Sequence, residues 1–119
     1  MKLITTLLIA TLSVSAHSAT HTGYDQNNEK CSIEIIKKTP SKIIAKLRGV
    51  NLNKKVKLNF LESHSSYYAS NDKDYGTVLG LDLGSVQYTQ IRFEQKTFTY
   101  YDSGFLLSKE IDVNCDFQD

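Results

Sequence analysis

Apolar and polar residues alternate along most of the chain beyond residue 30. Cys31, Ile33 and Ile35 are separated by Ser32 and Glu34; Ile43, Ala45 and Leu47 share one parity while Lys42, Lys46 and Arg48 share the other. A period of two marks strands with one buried face. Lys38-Thr39-Pro40-Ser41 predicts the turn between them, with Pro40 fixing φ at the bend. Gly49 shifts the parity, which predicts a bulge with Val50 and Leu52 on the inner face. Asn53-Lys54-Lys55 predicts a turn into a third strand whose inward residues are Val56, Leu58 and Phe60.

The second half repeats the pattern. Leu79, Leu81 and Leu83 alternate with Gly80 and Asp82, and Gly84-Ser85 reads as a two-residue hairpin turn. Residues 86–94 predict a strand, and Gln95-Lys96 turns the chain into another at Thr97–Tyr101. Asp102-Ser103-Gly104 fits a three-residue hairpin loop. Phe105, Leu107, Ile111, Val113, Cys115 and Phe117 share one parity, and Lys109 predicts a kink or break among them. The sum is about seven strands and no helix, which argues for a small antiparallel sandwich or barrel. The stretch 62–76, ESHSSYYASNDKDYG, is polar and long for a connection. It reads as a functional loop or as one containing a short edge strand at Ser66–Ala69.

The first 16 residues break this pattern. Lys2 precedes an uncharged apolar run from Leu3 to Val14, and small residues follow. This is the arrangement of a secretory signal peptide, with cleavage expected after Ala16 or, alternatively, after Ala19. The run is short for a membrane span, and no Cys follows it closely enough for lipid attachment. Residues 17–29 are polar and predict a flexible lead-in, leaving 30–119 as a single β domain. Export to the periplasm or the medium implies an oxidising compartment. Cys31 and Cys115 then predict one disulfide joining the first and last strands of that domain, the alternative being two buried thiols.

Charge changes the picture again. Residues 30–57 carry nine cations against Glu34, a net of +8, while residues 58–119 carry a net of −6. Alternation places Lys42, Lys46, Arg48, Lys55 and Lys57 on one outward face. That face fits an anionic partner, such as a protein or a polymer of the cell envelope. Two plainer accounts remain open: lysines guarding an edge strand, or acidic strands lying alongside. Nucleic acid is a poor partner for an exported protein whose net charge is +1.

Candidate chemistry is sparse. Asn71-Asp72-Lys73-Asp74-Tyr75-Gly76 resembles part of a calcium loop, but the Gly offset is wrong, Lys73 intrudes and the closing Glu is missing, so a surface turn is expected. Cleavage after Ala16 would give His17 a free amine beside its imidazole. With His64 this is an alternative copper site. Ser63, His64, Ser65 and Ser66 adjoin, yet adjacency is no triad. No cofactor fingerprint occurs, and the expectation is a protein without enzymatic activity. Seven Tyr exceed the needs of a small core. Tyr67 and Tyr68 in the long loop, and one of Tyr100 and Tyr101, are therefore candidate contact residues, with cross-strand packing as the alternative. The function these readings imply is an exported binding protein, and small disulfide-tied β domains of this kind include inhibitors of cell-wall-degrading enzymes. A structural envelope component is the other expectation.

Overall fold

The computed structural model describes residues 19–104 and 109–118. The segment expected to be a signal peptide, His17, and the apolar pair Phe105 and Leu107 lie outside them.

The protein is all-β and its main sheet closes on itself. The strands are β1 (Ala19–Tyr24), β2 (Lys30–Lys38), β3 (Lys42–Gly49), β4 (Leu52–Leu61), β5 (Ser66–Ser70), β6 (Lys73–Val78), β7 (Leu81–Ser85), β8 (Gln87–Arg92), β9 (Thr97–Asp102) and β10 (Ile111–Phe117). Eight of them form a closed antiparallel barrel in the order β1-β10-β9-β8-β5-β4-β3-β2, while β6 and β7 form a separate hairpin. Apart from that excursion the chain runs up and down around the barrel, so neighbours in sequence are neighbours in space. Ile33, Ile43, Ala45, Leu47, Ile91, Phe98, Tyr100 and Val113 fill the interior. An eight-stranded barrel is narrow enough for side chains to fill, as they do here.

The disulfide pairs Cys31 on β2 with Cys115 on β10, with Cα atoms 6.0 Å apart. It joins the last strand to the first strand expected from the sequence, which is the second strand of the barrel. The strand between them is β1, which arises from residues expected to be a flexible lead-in. Its polar composition hid it: Thr20, Thr22 and Tyr24 are exposed, and only Gly23 is buried. Each β1 residue pairs with β2, but β1 pairs with β10 only at Gly23↔Phe117 and Tyr24↔Asp116. This narrow contact is the seam that closes the barrel, and the disulfide lies beside it. Gly23 is required there, because a Cβ would overlap the carbonyl oxygen of Asp116 and come within 2.5 Å of the Phe117 Cα. Asp25 then turns the chain into β2, its carboxylate accepting from the backbone N–H groups of Asn27 and Glu29.

Several turns fall at other places than the sequence implies. Gly49 pairs with Leu52, so Val50-Asn51 is a two-residue turn and Gly49 is no bulge. Asn51 takes φ 59°, a conformation Asn tolerates, and Val50 is exposed. Asn53-Lys54-Lys55 continues β4 instead of turning. A register shift does occur between Ile35 and Lys37 in β2. Phe60 lies at the barrel's end and is partly exposed. The expected Gly84-Ser85 turn is replaced by Leu79-Gly80, at φ 55° and 81°, and Gly84 lies within β7. Strand β9 ends at Asp102 and β10 begins at Ile111, and residues 105–108 between them lie outside the described residues. Ser66–Ser70 is an inner strand of the barrel, held between β4 and β8, not an edge strand.

Candidate functional site

The strongest chemical feature is the outer surface of β2, β3 and β4. Pairing places Glu34, Lys46 and Lys55 in one row across the three strands, and Lys37, Ile44 and Lys57 in the next. Arg48 flanks the first row and Lys42 pairs with Asn59 beyond the second. Lys42, Lys55 and Lys57 are exposed, and Lys46 and Arg48 are half-buried. Thus the five cations expected on one face do share it. Lys37 joins them, which alternation alone missed because the β2 register shift lies just before it.

The topology bears differently on the two plainer accounts of these lysines. Strand β3 is paired on both sides, but β4 meets β5 only from Asn59 to Leu61, so Lys55 and Lys57 lie on a stretch of β4 paired on one side and can also guard that open edge. The neighbours of β3 are themselves basic strands. The carboxylates of Asp102, Asp112 and Asp116 belong to β9 and β10 on another part of the wall. Among the described residues the ion pair on the basic face joins Arg48 Nη1 to Glu34 Oε1 at 3.4 Å. Lys46 and Lys55 stand directly opposite each other, a like-charge pairing that disfavours the sheet.

Next to this face, across Asn59↔Tyr68, lies a strip of aromatic rings. His64 stacks on Tyr68 with centroids 4.3 Å apart and planes 17° from parallel. Tyr68 and Tyr88 follow at 6.5 Å and 26°, and Tyr88 and Tyr101 at 5.6 Å and 32°. These side chains come from the 3₁₀ turn Glu62–His64 and from β5, β8 and β9. The three Tyr are half-buried and His64 is exposed. The Tyr101 hydroxyl donates to Glu110 Oε2 at 2.9 Å, and this bond to a carboxylate holds the phenol above its ordinary pKa.

Tyr67 parts company with Tyr68. It points inward, is 5% exposed, and donates its hydroxyl to the Thr39 carbonyl at 2.6 Å. It is a core residue and is withdrawn as a contact candidate; burial pushes its phenol pKa up. Its ring meets Phe60 and Phe93 edge-on. Together with Lys38, whose ammonium sits 4.3 Å above the Phe93 ring, these side chains line a hollow of about 630 Å³ at one end of the barrel. Tyr100 is also buried, leaving Tyr101 as the outward member of that pair.

The remaining candidates stay apart. No three His, Cys, Asp or Glu side chains are grouped to hold a metal ion among the described residues. His64 is engaged with Tyr68. Asp74 caps a turn by accepting from the Gly76 N–H. The β6–β7 hairpin exposes an apolar tip, with Leu79 96% accessible. No helix among the described residues is long and apolar enough to cross a membrane, which leaves strand-mediated crossing unaddressed.

No family model matches the chain, and neither a curated protein nor a solved structure resembles it significantly.

Proposed function

We propose that this is an exported, non-enzymatic binding protein that takes an anionic partner at the cell envelope on the outer face of β2, β3 and β4. One observation carries the reading: Lys46 and Lys55 face each other across β3 and β4, with Lys57 and Lys42 in adjoining positions. Facing like charges disfavour the sheet, typically by a few tenths of a kcal/mol to about 1 kcal/mol. Glu34 faces Lys46 from β2, whereas Lys55 and Lys57 lie on the part of β4 that β5 does not reach, and an anionic ligand laid over this face supplies their counter-charge. The Cys31–Cys115 bridge is in keeping with an oxidising compartment.

The test is binding of polyacrylate, a polyanion with no other recognisable chemistry, measured by calorimetry over a range of salt. The wild-type protein binds, and the affinity falls as salt rises. Lys55→Gln and Lys57→Gln together weaken binding several-fold, yet leave the melting temperature unchanged or slightly raised because repulsion is relieved. Absence of salt-dependent binding, or equal binding by the variant, removes the proposal.

A further inference from the structure

We propose that the anionic partner is an acidic polysaccharide, and that the stacked strip of Tyr68, Tyr88 and Tyr101 is where its sugar rings pack. This rests on the basic-face reading above and adds the ligand class to it.

Tyr68, Tyr88 and Tyr101 lie on the outer surface of a barrel whose interior is already filled by Tyr67, Tyr100, Phe98 and aliphatic side chains. Three tyrosines on three consecutive barrel strands make a continuous run of rings, with successive centroids 6.5 and 5.6 Å apart and planes within 32° of each other. Cross-strand packing accounts for contact between neighbours. It does not require the hydroxyls of Tyr68 and Tyr88, whereas that of Tyr101 is held by Glu110. A tyrosine joins an apolar face to a polar tip, which suits a ligand that does the same. A sugar ring has that character: its C–H groups pack on the parts of the rings their neighbours leave uncovered, one face of Tyr68 being taken by His64, and its hydroxyls match the phenol oxygens of Tyr68 and Tyr88.

Charge then sets the class. At its β5 end the strip meets Asn59, which pairs with both Lys42 and Tyr68, and Lys57 lies two residues before Asn59 on the same face. At its β9 end it meets Glu110 and Asp112, the latter paired with Tyr101. A ligand lying on both features is therefore anionic over β3 and β4 and neutral or hydroxylated over β8 and β9. A polysaccharide bearing carboxylate, sulfate or phosphate groups on some of its rings satisfies both. A single-stranded nucleic acid also stacks on aromatic rings, but it carries a phosphate at every unit and would bring several against Glu110 and Asp112.

The experiment compares four polymers of matched length by calorimetry at fixed salt: hyaluronate, which carries a carboxylate on every second ring, polygalacturonate, which carries one on every ring, polyacrylate and a single-stranded oligodeoxynucleotide. The expected result is that hyaluronate binds about tenfold more tightly than polyacrylate, an excess of the size a stacking contact provides, and more tightly than polygalacturonate. Tyr68→Thr and Tyr88→Thr keep strand preference while removing the ring. Each loses the glycan excess and leaves polyacrylate binding intact, whereas Tyr88→Phe retains most of it. If the polyanions all bind alike, the basic face stands and the glycan assignment falls. If the oligodeoxynucleotide binds best, the strip is a base-stacking platform and the assignment is overturned. If none of the four binds, the basic-face reading fails and takes this one with it. The wild-type comparison decides between these outcomes even if a Thr variant does not fold.

Discussion

Gly23→Ala tests the seam. In a strand interior Ala is ordinarily favoured over Gly, by about 0.5–1 kcal/mol. Here the added methyl meets backbone, the Asp116 carbonyl and the Phe117 Cα, and backbone in a paired strand cannot swing away. To accept it, β1 and β10 must separate where they pair at Gly23 and Tyr24, and the Gln118 N–H to Thr22 carbonyl bond at 2.8 Å goes with them. Losing three or so backbone hydrogen bonds at about 1 kcal/mol each outweighs the gain from Ala, for a net loss of about 2–3 kcal/mol. In a domain of this size that lowers the melting temperature by about 10–20 °C. Gly49→Ala is the control. There the nearest atom is the Val113 Cγ1 at 3.2 Å, a side-chain methyl that can move, and the change stays within about 1 kcal/mol. Thermal unfolding followed by circular dichroism, with the disulfide kept oxidised, separates the two. Equal melting temperatures for both variants would refute the idea that the seam needs a bare Cα at residue 23.

Two further outcomes follow from the core and the bridge. The disulfide spans 84 residues, and replacing both Cys31 and Cys115 by Ser lowers stability by up to about 4.5 kcal/mol on the chain-entropy argument; denaturant titration of the oxidised and Ser forms measures it, and indistinguishable midpoints would show that the ends are already held by the barrel. Tyr67→Phe loses the bond to the Thr39 carbonyl, about 1 kcal/mol, at neutral pH. Because the folded phenol titrates above its ordinary value of 10.0, the Tyr67 contribution is full below that pH and disappears as pH rises through the higher folded value; urea midpoints of the two proteins should converge in strong alkali, and a constant gap would contradict the burial argument.

The all-β class was legible because Ile33, Ile43, Leu47, Leu58, Ile91 and Val113 keep strict parity and all lie inside. What stayed hidden had physical reasons. Strand β1 is recruited by its partner β2 and contributes little apolar surface, so no period of two announces it. The turn at Leu79-Gly80 puts a leucine in a left-handed conformation that sequence rules assign to Asn or Gly. Tyr67 and Tyr68 look alike in the sequence; pairing with Phe60 and Asn59 sends one inward and the other out. The basic face was readable from alternation, but its distance from the acidic strands depended on a ring order that only closure defines.

The β6–β7 hairpin leaves the barrel at Ser70 and returns at Gln87, and the wall is already joined beneath it by the Ser70↔Tyr88 pairing and the bond from the Asn71 N–H to the Gln87 carbonyl at 2.7 Å. The barrel therefore does not sense the length of this arm. Evolution can extend, shorten or rewrite it without renegotiating the core, and a protein engineer can graft a foreign peptide there on the same terms. The scaffold and its appendage are separately heritable parts of one small chain.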